Sequence, residues 1–228
     1  MDFPQKWLQS DSLGELISNE LRLQIINGTI PRDTVLTESQ ISNKFDTSRS
    51  PVREAFKILE TEGLIHLKRM GAVVLGLEEK DIKELYDVRF LLEKFCMQIL
   101  LEDFDEEKAN EFYRLIDLME LNMKHNDYSE FAYHDLLFHE MFILSVSHKR
   151  ILHLWKNIRN IVLCLLFVAT EKRFLEDKGE IENLLRKHRA IIDALVEKNE
   201  NQLNSLMEEH FNDTKVTVMN AYLREIKS

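Results

Sequence analysis

The sequence predicts a mainly α-helical protein: an N-terminal winged helix-turn-helix with a small β-hairpin wing, then an all-α antiparallel bundle. Three observations predict this. The 228 residues include only 6 Gly and 3 Pro, so few breakers interrupt long helical patterns. Apolar residues recur at three- and four-residue spacing along most of the chain. Strand-like runs are confined to residues 64–67 and 72–75, flanking Met70-Gly71.

Taken in order, Leu13, Ile17, Leu21 and Ile25 form one stripe, and Gly28 terminates a helix that reaches Asn27. Thr37 is an N-cap, and Gln40 three residues on completes a capping box for a helix ending near Phe45. Ser48 caps the next helix, with Pro51 tolerated in its first turn. Val52, Ala55, Phe56 and Leu59 are its buried face, Arg49, Arg53 and Lys57 lie on another, and Gly63 stops it. Two short strands joined by Lys68-Arg69-Met70-Gly71 make the wing. A boundary near Gly76-Leu77-Glu78 divides the chain into a winged helix-turn-helix domain, 1–76, and a helical domain, 77–228. The second contains helices over 79–101, 105–125, 129–147, 149–176, 179–198 and 200–226, with turn signals at Asn126-Asp127, Ser147-His148 and Lys178-Gly179 among others.

Composition bounds the function. The apolar fraction of 44% is that of a globular protein. The chain opens Met-Asp-Phe-Pro-Gln-Lys, unlike a secretory leader, and its longest apolar run, Ile161 to Ala169, is far short of the roughly 20 residues of a membrane span. Cys96 and Cys164 form neither a disulfide framework nor a metal motif, so a reducing cytoplasm is the expected setting, with no membrane partner. The net charge of −10 sits mostly in the second part: residues 1–76 carry 9 Lys/Arg and 10 Asp/Glu, residues 77–228 carry 21 and 30. A local basic face on a nearly neutral first domain suffices for phosphate contact, and an acidic body suppresses non-specific binding to nucleic acid.

Arg49 and Arg53 stand one turn apart at the start of the second helix of the pair, where guanidinium groups enter a major groove and meet guanine O6 and N7. A lone Arg-x3-Arg is usually a solvated face. Here the capping box, turn, second amphipathic helix and wing occur in order. The candidate DNA contacts are Thr37, Ser48, Arg49, Ser50, Arg53, Lys57, Arg69 and Gly71.

Residues 26–75 resemble the DNA-binding domain of the GntR family of bacterial transcription factors. The resemblance rests on Gly28 and Pro31, Leu36-Thr37-Glu38, Ser48-Arg49-Ser50-Pro51-Val52-Arg53-Glu54-Ala55, Leu59, Glu62-Gly63-Leu64 and Gly71, with Arg32 departing where the family usually has Gly. It implies a homodimer on a palindromic operator in double-stranded DNA.

In the acidic part, Asp135 and His139 are four apart and share a helix face, while His188 and His210 fall on the apolar stripes of two later helices. Imidazole and carboxylate suit Zn, Ni, Mn or a similar divalent ion. Unconnected core histidines bonded to carbonyls are the competing reading, and spacing does not separate the two. Residues 79–220 resemble the FCD ligand-binding domain of the FadR-type subgroup, in its VanR-like six-helix branch. Asp135-Leu136-Leu137-Phe138-His139, Lys187-His188-Arg189-Ala190-Ile191 and Glu209-His210 match its motifs, and the resemblance implies that Asp135, His139, His188 and His210 ligate the metal. Ser147-His148-Lys149 departs from the family's Ser-Gly-Asn.

Arg89 lies on the apolar stripe of its helix with Ile82, Leu85, Leu92 and Cys96. It is either half of an internal salt bridge, for example to a glutamate on a neighbouring helix, or a clamp for a small carboxylate effector, as the organic acids bound by similar FCD proteins imply. His125, His134 and His153 read as surface or packing residues. The expectation is a ligand-responsive regulator of transcription, not an enzyme. The alternatives are a metal-dependent helical enzyme with a nucleic-acid-binding arm, and a metal-free regulator whose histidines hold the effector directly.

Overall fold

The computed structural model describes residues 12–176 and 178–225. The opening residues 1–6 and position 226, both used in the sequence reading, lie outside them. The chain divides into two compact units. Among the described residues the first takes in 12–81 and 222–225, the second 82–221.

In the first unit, α1 (Leu13–Ile26) starts at Ser12, whose hydroxyl accepts from the Glu15 N–H at 3.1 Å. Ile17, Leu21 and Ile25 are buried, but Leu13, the fourth member of the expected stripe, is 45% exposed. The helix ends at Asn27, and Gly28 follows with φ 75°. A two-residue strand, β1 (Val35–Leu36), comes next. It was not expected, because two residues are too few to show alternation.

Helix α2 (Glu38–Lys44) has both arms of the Thr37–Gln40 capping box. Helix α3 (Arg49–Thr61) departs from expectation at its start: Ser48 occupies the N-cap position in extended geometry, but its side chain makes no capping hydrogen bond. The third helical residue is Pro51, which has no N–H to give. Val52, Ala55, Phe56 and Leu59 are all at most 2% exposed, each worth up to about 1.5–3 kcal/mol of burial for the larger side chains.

Strands β2 (Ile65–Lys68) and β3 (Gly71–Val74) pair antiparallel with Lys68 opposite Gly71, and β1 joins the other edge of β3, giving the order β1-β3-β2. Gly71 has φ 142°, and a Cβ there would lie 2.4 Å from the Leu36 carbonyl oxygen, so only glycine fits between the strands. A buried ion pair ties α1 to the end of α3: Arg22 Nε and Nη2 donate to the two Glu62 oxygens at 2.7 and 2.6 Å, and Nη1 donates to Asn19. The unit extends past the expected boundary at residues 76–78, because the Tyr222 hydroxyl both donates to the Leu77 carbonyl and accepts its N–H, each at 2.9 Å.

The helices of the second part are α4 (Glu79–Leu100), α5 (Glu106–Lys124), α6 (Tyr128–Ser145), α7 (Lys149–Glu176), α8 (Lys178–Val196) and α9 (Glu200–Glu225). Asn126, Ser147 and Lys198 adopt positive φ between successive helices, doing without glycine what αL positions require. Lys178-Gly179, expected as a turn, lies inside α8. The bundle core holds Phe112, Phe131, Phe138, Phe142 and Trp155, with Phe112 stacked on Phe142 at 4.4 Å. Helix α7 is long and apolar enough by length and composition to cross a membrane, yet Ile161–Ala169 is buried inside the bundle, as a core helix requires.

Candidate functional site

The reading face of the first unit is built by α2, α3 and the wing. Between α2 and α3, Asp46 takes φ 46° and the Thr47 N–H donates to the Ser42 carbonyl at 2.9 Å, which turns the chain sharply before Arg49. Ser48, Arg49, Ser50, Arg53 and Lys57 are all exposed along one side of α3. Arg49 Nη2 donates to Ser39 Oγ at 2.9 Å, and Arg53 Nε donates to Glu38 Oε1 at 2.8 Å. That pairing holds the Glu38 carboxyl below its ordinary range. Both arginines are thus held by the first turn of α2 and remain open to solvent, Arg53 with 61% of its side chain exposed. A concave surface of about 620 Å³ separates them from the wing, with Thr37, Lys57, Lys68, Arg69 and Gly71 on its walls. All eight candidate DNA contacts therefore lie on α3, at the start of α2 or in the wing.

The second unit gathers the other set. Asp135 and His139 come from α6, His188 from α8 and His210 from α9. One ring nitrogen from each histidine lies within 4.8 Å of the others. His139 Nε2 and His210 Nε2 are 3.4 Å apart, His188 Nε2 is 3.4 Å from Asp135 Oδ1, and His139 Nε2 is 3.7 Å from the same oxygen. All four residues are at most 2% exposed. Burial pushes the three imidazoles well below their ordinary pKa and raises Asp135 to about 6, with Arg89 and Arg173 opposing the latter rise.

These residues fit a divalent ion. Among the described residues, both ring nitrogens of His188, Nδ1 of His210 and Oδ1 of Asp135 have no hydrogen-bond partner. An ion takes one nitrogen per imidazole, so of these it would satisfy His188 Nε2 and Asp135 Oδ1, which cost about 1–3 kcal/mol each when buried and unpaired. The 3.4 Å separations match the edge of a tetrahedron whose arms are about 2.0–2.1 Å. Neutral imidazoles and a carboxylate are the donor set that Zn or Ni accepts.

Arg89 is fully buried beside this cluster, its guanidinium 5.4 Å from the Tyr86 ring and 5.2 Å from the Phe211 ring. It does form an internal salt bridge, but with Glu93 on its own helix: Nε donates to Glu93 Oε1 at 2.8 Å. Nη1 and Nη2 have no partner of hydrogen-bonding geometry among the described residues. Glu93 is the residue that sequence reasoning missed. Its second oxygen, Oε2, lies 2.6 Å from His139 Nδ1, and the carboxyl is fully buried, with its pKa raised to about 7 by burial against the pull of Arg89. The signal was available: Glu93 is four residues after Arg89, on the same inward stripe.

The other histidines do not join the cluster. His134 Nδ1 meets Asn122 Oδ1 at 2.8 Å, His125 closes α5, and exposed His148 accepts the Ile151 N–H at 3.3 Å.

Comparison with known proteins agrees with both units. Residues 13–75 match the model of the bacterial regulatory proteins, gntR family, and residues 84–213 match the FCD domain. The gluconate operon transcriptional repressors of Bacillus licheniformis and Bacillus subtilis (strain 168) are each 35% identical over 223 residues, spanning 98% of this chain and 92% of theirs. A solved GntR transcriptional regulator from Rhodococcus sp. RHA1 is 25% identical, covering 92% of this chain and 98% of its own, with a TM-score of 0.66. These relatives are regulators, not enzymes. The chain belongs to the GntR family of bacterial transcriptional regulators, in the group whose second domain is an FCD domain.

Proposed function

We propose that this regulator is a cytoplasmic homodimer that binds a palindromic operator and is controlled by a small carboxylate held at a metal site in its helical domain. The DNA contacts in this reading are Arg49, Arg53, Lys57, Ser48 and Ser50 on α3, Thr37 at α2, and Arg69 and Gly71 in the wing. Asp135, His139, His188 and His210 hold a divalent ion, Zn, Ni or Mn. When bound, that ion supplies a Lewis-acid attachment point for a carboxylate oxygen.

The remaining work belongs to the chain itself. Arg89 offers its two Nη groups to the effector carboxylate, and the Tyr86 and Phe211 rings beside it exclude water and strengthen that contact. Glu93 holds both Arg89 and His139 in position. Effector binding then biases the poses that the two DNA-reading domains of a dimer can adopt, so the half-sites are no longer spanned together. The relatives named as gluconate operon repressors support a repressor of genes for sugar-acid use.

The single observation that carries the reading is a buried arginine with two unpartnered Nη groups beside three converging imidazoles and Asp135, whose Oδ1 is 3.4 Å from His188 Nε2. The test is metal analysis of the purified protein, combined with binding to the DNA flanking its own gene in the presence and absence of sugar acids. The expected result is about one divalent ion per chain and release of DNA by an acid. A protein that takes up no divalent ion yet still responds to an acid would favour histidines that hold the effector directly.

A further inference from the structure

Among the described residues of the helical domain, the acid-sensing reading leaves one buried cation unused. Arg173, near the end of α7, is only 8% exposed. Its Nε has no hydrogen-bond partner among the described residues, and its ion pair with Glu180 is long, 3.7 Å, with the glutamate side chain 55% exposed. Arg173 lines a cavity of about 250 Å³ together with His210, Asn183, Lys187, Asp213 and Thr214. His210, a member of the imidazole cluster, is one wall of this cavity.

The chemistry of the walls selects among tails. Lys187 is already matched by Glu209 at 2.8 Å and by Asp213, so the cavity carries no surplus positive field. A second anionic group would face Asp213 and Glu180. An alkyl tail would leave Arg173 Nε without a hydrogen-bond partner, at a cost typical of a buried polar group. A hydroxyl both donates and accepts. It can therefore meet the Arg173 guanidinium, the Asn183 amide, the Asp213 carboxylate and the oxygen of Thr214, whose own proton goes to the His210 carbonyl at 2.8 Å. The cavity is smaller than the roughly 300–1,000 Å³ of pockets that take drug-sized ligands, so its occupant is metabolite-sized.

We propose that Arg173 determines effector specificity: it reads the hydroxylated tail of a small polyhydroxylated monocarboxylic acid whose carboxylate points toward Arg89 and the Asp/His cluster. This rests on the acid-sensor reading given above.

The test uses the full-length protein loaded with Zn, titrated in a calorimeter with D-gluconate and with propionate, which has no hydroxyls. Wild type is expected to prefer gluconate at least tenfold. Arg173→Gln should weaken gluconate at least tenfold, leave propionate within twofold and keep Zn stoichiometry unchanged. Asn183→Ala, on the same wall with a half-buried side chain, should weaken gluconate severalfold and keeps the proposal testable if the arginine variant misfolds. Equal loss for both acids, or no loss for either, overturns the role of Arg173. A wild type that binds propionate as tightly as gluconate overturns the tail assignment and spares the acid-sensor reading. A Zn-loaded wild type that binds neither acid overturns that parent reading as well.

Discussion

Glu93 Oε2 lies 2.6 Å from His139 Nδ1, and the other oxygen of the same carboxyl accepts from Arg89 Nε at 2.8 Å. One fully buried side chain therefore touches both a candidate metal ligand and the candidate effector clamp. With Glu93 ionised the contact selects the His139 tautomer: a proton on Nδ1 leaves the Nε2 lone pair facing Asp135 and His210. It also fixes the guanidinium plane, so that both Nη groups stay free.

Substitution Glu93→Gln keeps the volume and removes the charge. Metal affinity is expected to fall roughly 10- to 100-fold, as it does when the outer partner of a ligating histidine is lost. The dependence of acid affinity on metal should fall with it, because the bridge to Arg89 is broken too. Competition with a calibrated Zn chelator, followed by acid titration with and without Zn, measures both. Unchanged Zn affinity in a folded variant would show that Glu93 serves packing alone.

A pH dependence follows from the same cluster. Asp135 and Glu93 are raised to about 6 and about 7 by burial. A carboxyl raised in the folded state contributes stability below its ordinary pKa, near 4, and that contribution is lost as pH climbs through the raised value. The three imidazoles are lowered, so their contribution is present above about 6.5 and is lost as pH falls below it. A divalent ion favours the ionised Asp135 and the neutral imidazoles. Metal therefore relieves the carboxyl penalty at neutral pH and must compete with protons at acid pH. The rise in melting temperature on adding Zn should be larger at pH 7.5 than at pH 5.5. An equal or larger rise at pH 5.5 would contradict the ligand assignment.

The two units should fail separately. Arg53→Ala removes an exposed guanidinium that, among the described residues, is held by Glu38, so the fold should tolerate it. Operator affinity should drop roughly 10- to 100-fold, the range of one bidentate base contact. Zn content should not change. His188→Ala should lower Zn content and abolish the acid response, while the metal-free protein keeps its affinity for DNA. Gel-shift titration and metal analysis of both variants decide this. A single substitution that abolished both properties would mean that DNA reading and metal binding are not carried by separate modules.

The parts legible in the sequence are those encoded by local rules. Thr37 and Gln40 announce a helix start through two reciprocal hydrogen bonds, and the structure has both. The stripe Val52, Ala55, Phe56, Leu59 announces its buried face. Asp135 and His139 share a face because a helix turns once in about 3.6 residues. What spacing withheld is convergence: His188 and His210 lie on other helices, and only packing brings their nitrogens within reach of His139. The strand Val35–Leu36 escaped because its partner, β3, lies more than 30 residues on, and two residues show no period. Ser48 misled because its cap needs an N–H that Pro51 lacks. Glu93 was legible from its four-residue spacing to Arg89 on the inward stripe and was passed over, whereas Arg173 escaped because charged residues on long helices are usually solvated, and nothing local marks it as turned inward.

The Arg22–Glu62 pair is the last such case and yields a stability prediction for the DNA-reading unit. Arg22 is fully buried on α1, and both of its bonds to Glu62 are between 2.6 and 2.7 Å. Glu62 is the C-cap of α3, so the pair sets where the reading helix ends relative to α1. A buried pair contributes little compared with an apolar replacement, but removing one partner strands the other. Arg22→Ala leaves the Glu62 carboxylate without its cation and opens a cavity under α3, and a cost of about 3–5 kcal/mol is expected. Arg22→Met fills the volume without the charge, and combining it with Glu62→Leu should recover much of the loss. Urea denaturation, followed by a probe on the first unit, compares the three proteins. Operator binding should follow their stabilities, while Zn content stays constant. A folded Arg22→Ala protein with unchanged urea midpoint would mean that water replaces the guanidinium at no cost, and that the pair does not determine how α1 and α3 are held together.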